Sequence, residues 1–146
     1  MQPGFEGFRR KVEESFAKQD FMASIGAEIA AIDAGRVCLT APVRTGFRQQ
    51  HGYAHAGLTF ALGDSAAGYA ALTLMPRDRE VVTSEMKIHL LAPARGGRLR
   101  AVGQVIRAGR RLIVVRADVE EEGPDPEAPA IPVATLLGTM VSTPIA

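Results

Sequence analysis

The chain has little of several things that define whole classes of protein. It has one cysteine, Cys38, among 146 residues, which excludes a disulfide framework and a cysteine-rich zinc site. It has no tryptophan and only two tyrosines, so aromatic surface for stacking bases is scarce. Charge of either sign is hardly in excess: 17 Lys+Arg face 16 Asp+Glu, a formal net charge of +1. A nucleic-acid binder, a polybasic membrane anchor and an acidic disordered chain each need a lopsided charge, so none is expected. The first twenty residues contain no apolar run of the kind a secretory signal requires. The glycines at 52, 57, 63 and 68 do not spell G-x-G-x-x-G, and neither a dinucleotide fingerprint nor a G-x-S-x-G nucleophile elbow is present.

What is there is 47% hydrophobic residues, sufficient for one core. A domain of this length buries roughly 70% of the surface that its unfolded form exposes. Residues 1–146 are therefore read as a single domain. The charges that do occur are unevenly placed. The 28 residues between Arg48 and Arg77 hold one formal charge, Asp64, where an average distribution would place about six. A transmembrane span over about residues 54–75 would put Asp64 near the bilayer centre at a cost of roughly 2.5–3.5 kcal/mol. The stretch is read instead as a helix buried within a soluble, cytoplasmic protein.

Periodicity supplies the rest of the outline. Phe5, Phe8, Val12 and Phe16 recur at helical spacing behind Pro3, predicting an amphipathic helix over about 3–20. Residues 27–32 and 36–41 flank Asp33-Ala34-Gly35 and read as a hairpin, with Gly35 supplying the positive φ of a tight turn. The buried helix is placed at about 56–72. Beyond it come only strands. Val82, Ser84, Met86, Ile88 and Leu90 alternate with Thr83, Glu85, Lys87 and His89, a period-two pattern. Residues 99–107 and 112–120 form a hairpin, an acidic proline-rich loop covers 121–132, and 133–141 is the last strand. Without βαβ alternation the class is α+β, an antiparallel sheet curled around one helix.

A carboxylate alone in an apolar helix has its charged form disfavoured, so Asp64 is expected to carry a raised pKa and to suit general-base or nucleophile work. At the start of the same helix the first N–H groups lack intrahelical partners. His55-Ala56-Gly57 places small residues there, letting a developing oxyanion approach the Ala56 N–H. Eight helical residues separate Ala56 from Asp64 by about 12 Å. One carbonyl cannot touch both within a chain, so joint action requires a second subunit with its helix antiparallel to the first.

The run Gln49-Gln50-His51-Gly52-Tyr53-Ala54-His55-Ala56-Gly57-Leu58-Thr59-Phe60-Ala61-Leu62-Gly63-Asp64 resembles the signature of hotdog-fold acyl-CoA thioesterases, in particular the phenylacetic-acid-degradation type. The resemblance extends in element order over about residues 20–145. It implies a sheet of five or six strands wrapped around the helix, paired into a homodimer and often a homotetramer. It implies that Asp64 is the catalytic acid group, that the Ala56 N–H polarises the thioester carbonyl, that Gln49 positions the carbonyl or the water, and that Thr83 helps to hold the water. Ala56 replaces the commoner glycine, though only an N–H is required. Gly68 stands where glutamate-type members place a threonine, which puts this chain nearer the aspartate branch.

The implied substrate is an acyl-CoA, with coenzyme A part of the substrate and no separate cofactor. Its phosphates would meet Arg107, Arg110 and Arg111 at a hairpin tip, and His55 and Gly57 border the bound thioester. Tyr53 and Phe60 are expected to wall the acyl pocket. His51, His55 and His89 lack a carboxylate or thiol cluster at ligand spacing, so no metal is expected, and His55 is read as orienting the helix terminus. Two other functions fit the same fold: an acyl-thioester dehydratase or hydratase using His55 with Asp64, and a non-catalytic acyl-CoA-binding protein.

Overall fold

The computed structural model describes residues 1–145. Six strands form one antiparallel sheet: β1 Glu28–Asp33, β2 Arg36–Pro42, β3 Arg79–Leu90, β4 Arg98–Ala108, β5 Leu112–Glu122 and β6 Ile131–Pro144. Their spatial order is β1-β2-β4-β5-β6-β3, which leaves β3 at an edge. Helix α3, Ala56–Leu72, lies in the concave face and packs against β2, β3, β4, β5 and β6. This is the hotdog architecture implied by the sequence, with the helix at the expected bounds.

Composition explains how so long a helix fits inside a sheet. From Ala66 to Leu72 every residue is buried, and these residues are mostly Ala and Gly, whose small side chains allow a close approach. The approach is closest at β4, where a Cβ on Gly103 would overlap the Ala66 carbonyl. Gly63 faces the Leu136 side chain, which would lie 2.9 Å from an added Cβ. The β1–β2 hairpin turns through Gly35 at φ 78°, and the Gly35 N–H donates to Thr73 Oγ1 at 2.8 Å. That bond ties the hairpin to the end of α3.

The N-terminal helix differs from expectation. The single helix over 3–20 is instead α1 Phe8–Phe16 and α2 Asp20–Ser24. Residues before Gly7 are drawn against the end of α3, where the Gly4 N–H donates to Thr73 O at 2.9 Å, so Pro3 stands outside any helix. Between α1 and α2, Gln19 adopts an extended backbone and its side chain donates to Tyr69 Oη at 2.6 Å. A tertiary hydrogen bond thus breaks a stretch that local periodicity would continue. The strands of the second half run longer than their apolar cores suggest, and the acidic loop shrinks to residues 123–130.

The alternation expected along β3 also fails at one point. Thr83 pairs with Met140 and Glu85 with Thr139, so Ser84 is an unpaired bulge residue. The bulge reverses which side chains face inward on its N-terminal side. Val81 packs on the core while Val82 is 54% exposed; beyond the bulge Met86 and Ile88 pack on the core as the alternation expects, and Leu90, at the strand's end, is 58% exposed. Thr83, placed on the polar side by simple alternation, shares the inward face with Val81.

Candidate active site

Helix α3 begins with an unusual cap. His55, at φ −64° and ψ 137°, accepts the Gly57 N–H on its ring Nδ1 at 2.8 Å. Its carbonyl accepts the N–H groups of Leu58 and Thr59. The Ala56 N–H is left as the one donor of the first turn without an acceptor among the described residues, and Ala56 is exposed. His55 therefore orients the helix start, as its position suggested. Its Nδ1 is committed to the cap, which removes that nitrogen from the acid–base role a hydratase would ask of it.

Gln49 stands beside this terminus. Its Oε1 accepts the His51 N–H, which orients the amide and leaves the side-chain NH₂ free to donate. Gln49, Tyr53 and Ala56 line a hollow of about 370 Å³ with Leu90, the Leu91–Ala94 segment and Val133. Phe60 is not among its walls and packs on the core instead.

Asp64 lies in a different hollow, of about 200 Å³, together with Ser65, Gly68, Val81 and Thr83. Thr83 Oγ1 donates to Asp64 Oδ1 at 2.9 Å, a contact that exists because of the bulge at Ser84. Burial pushes the Asp64 carboxyl above the usual aspartate range, and the Thr83 hydroxyl pulls it partly back. Such a group takes up a proton near neutral pH more readily than a solvated aspartate does.

The structure thus joins Asp64 to Thr83, and Gln49 to Ala56, but does not bring the two pairs together. They lie toward opposite ends of β3: Val81 and Thr83 border one hollow, Leu90 and Leu91 the other. Arg107, Arg110 and Arg111 are exposed and lack a carboxylate partner among the described residues. The hairpin tip that carries them is at the Asp64 end of the sheet, since Ile113 pairs with Met140 and Met140 with Thr83. No group of three or more His, Cys, Asp or Glu among the described residues is arranged to hold a metal ion. Among the described residues no helix is long and apolar enough to cross a membrane.

Four more residues wall the Asp64 hollow and were not foreseen. Ser15, Gln19, Tyr69 and Glu80 complete it, with Gln19 bonded to Tyr69 and the Tyr69 ring packed 5.9 Å from Phe16. Ser15 and Gln19 meet Tyr69 across 54 and 50 residues of sequence. No local pattern announces such contacts.

Comparison with known proteins matches residues 51–128 to the family model described as the thioesterase superfamily. The crystal structure of a thioesterase family protein from Silicibacter pomeroyi superposes with a TM-score of 0.90 at 37% identity, covering 95% of this chain and 100% of that one. A Saccharolobus solfataricus protein named as an esterase is 29% identical over 113 residues, 77% of this chain and 80% of its own length. The 1,4-dihydroxy-2-naphthoyl-CoA hydrolase of Listeria monocytogenes is 26% identical over 99 residues, 68% of this chain and 80% of the relative.

Proposed function

The chain belongs to the thioesterase superfamily of hotdog-fold thioester hydrolases, and from that premise we propose that it hydrolyses acyl-CoA with short- or medium-chain or aromatic acyl groups at sites shared between two subunits. One observation carries the reading. A half-buried carboxylate held by a hydroxyl and a free helix-terminal N–H occupy the same helix, on hollows too far apart to serve one carbonyl. Two antiparallel copies of the helix bring each Asp64 to the partner subunit's Ala56.

The edge position of β3 supports that pairing. Twelve residues long, it is bonded on one side only, to β6. An exposed edge of this length is a template for another strand, and apolar Val82, Leu90 and Leu91 line it. Antiparallel pairing of two β3 strands would set the Val81–Thr83 end of one against the Leu90–Leu91 end of the other, so that both hollows merge.

In the proposed reaction the Asp64 carboxylate takes a proton from water while that water attacks the thioester carbonyl carbon. The carbonyl oxygen becomes an oxyanion and is held by the N–H of the partner subunit's Ala56, with the NH₂ of the partner subunit's Gln49 as neighbouring donor. Collapse expels the coenzyme A thiolate, which takes the proton that Asp64 gained from water, and leaves the free acid and the Asp64 carboxylate. Thr83 keeps Asp64 in one rotamer facing the water. Arg107, Arg110 and Arg111, unpaired and at the Asp64 end, supply the charge for the coenzyme A phosphates. The aspartate-type assignment within the family rests on Asp64 and on Gly68 where glutamate-type members place a threonine.

The test is thiol release from a panel of short-chain, medium-chain and aryl acyl-CoAs. Asp64→Asn should slow turnover by about 10²–10⁴, the contribution of a positioned general base. Equal rates for wild type and variant would remove Asp64 from the mechanism. Stabilisation by acyl-CoA with no thiol released by the wild type would establish a binder instead.

A further inference from the structure

Glu121, near the end of β5, is 6% exposed. It continues the inward alternation of Ile113, Val115, Ala117 and Val119, so the strand delivers a carboxylate to the place where an apolar residue is due. No Lys or Arg side chain among the described residues pairs with it. Its partners are backbone. Oε1 accepts the N–H groups of Arg95, Gly96 and Gly97, each at 2.8 Å, and Oε2 accepts that of Arg95 at 2.8 Å. Consecutive N–H groups converging on one oxygen form an anion nest, and Gly96 at φ 126° provides the backbone conformation for it. A buried carboxylate is strongly unfavourable unless its lone pairs are met in this way.

The segment so gripped is the link between β3 and β4, and it reaches the helix start. Gly97 O accepts the Val43 N–H at 3.1 Å, and Ala94 O accepts the Ala54 N–H at 2.9 Å, two residues before Ala56. Ala92, Pro93 and Ala94 wall the hollow that Gln49 and Ala56 share. We propose that Glu121 is a positioning residue for the oxyanion site: by fixing residues 95–97 it fixes Ala94, which sets the entry of the chain into α3 and the direction of the Ala56 N–H. The proposal rests on the reading of Ala56 given above. Glu121 acts through the backbone N–H groups of residues 95–97, which occupy its carboxylate.

The experiment compares wild type, Glu121→Gln and Glu121→Ala for kcat and KM on an acyl-CoA, and for amide hydrogen exchange, well below each melting temperature. Glu121→Ala should lower kcat at least about tenfold, as misplacement of a reacting geometry does, with KM changed less than about twofold. Exchange protection should be lost at Ala54 and at residues 95–97 but kept at Val115 and Ala117. Glu121→Gln, which can place its carbonyl oxygen at the Oε1 position, should recover most of kcat.

Unchanged kcat in folded Glu121→Ala, a KM rise accounting for the whole loss, or protection lost evenly through the fold overturns the proposal. Should Glu121→Ala not fold, Glu121→Asp, which draws the carboxylate back from residues 95–97, decides by the same readouts: a kcat loss with protection lost at Ala54 and 95–97 upholds the role, and unchanged kcat, or a kcat loss with wild-type protection there, overturns it. If the wild type releases no thiol from any acyl-CoA, the functional reading has failed separately. Exchange at Ala54 then judges the positioning of the helix start.

Discussion

The sharpest perturbation available is Ala56→Pro, because structure and chemistry make opposite demands on it. Ala56 is the first residue of α3 and its N–H has no acceptor among the described residues. Proline at this position forfeits no hydrogen bond, and its fixed φ suits a first helical turn. His55, at φ −64° and ψ 137°, already holds the extended conformation required of a residue before proline. Folding stability should therefore change by less than about 1 kcal/mol. Catalysis should not be spared, since losing one oxyanion donor costs about 10²–10³ in kcat, or 2.7–4 kcal/mol. Thiol release and thermal melting, measured on the same preparation, separate the two effects.

The variant also tests whether the site is shared. Ala56→Pro and Asp64→Asn are each expected to be nearly inactive, but a mixed dimer carries one site with both groups intact. Random exchange of subunits should restore about a quarter of wild-type activity, one good site in half of the dimers. Wild-type turnover in Ala56→Pro would refute the oxyanion assignment. A mixture no more active than its components, with subunit exchange demonstrated, would refute the shared site.

Two further outcomes follow from the geometry. Activity requires the ionised Asp64, so it rises with pH through that group's pKa, which burial holds above the usual aspartate range. Thr83→Val removes the hydrogen bond that lowers it, so the acid limb of the pH–kcat profile should move to higher pH. A limb that stays in place, or moves down, would contradict the assigned contact. Gly103→Ala inserts a methyl into the Ala66 backbone at the helix–sheet contact and should destabilise by about 3 kcal/mol, the upper part of the usual range for overpacking. Urea unfolding followed by circular dichroism checks this, and an unchanged midpoint would mean the helix is not pressed so closely on β4.

The extent of α3 was legible in the chain because it is a compositional fact. A stretch with one charge must be buried, and the alanines and glycine at 66–68, 70 and 71 record how tightly the sheet closes on it. Asp64 stands out for the same reason, and the helical rise of about 1.5 Å per residue separates it from Ala56 on the sequence alone. Gly35 marked its hairpin because a positive φ leaves a local signature.

The remainder depends on contacts between residues far apart in sequence, which no periodicity encodes. The N-terminal helix breaks because Gln19 bonds Tyr69, 50 residues away. Thr83 faces Asp64 because β6 leaves Ser84 unpaired and reverses the alternation. Glu121 is buried because strand register carries it to a cluster of N–H groups some 25 residues earlier in the chain, although its composition belongs with the acidic loop beside it. The sequence by itself thus determined which element is buried and which carboxylate lies on it. Only tertiary structure decided which hydroxyl serves that carboxylate and what holds the helix start in place, because register and packing are properties of paired segments and not of either one alone.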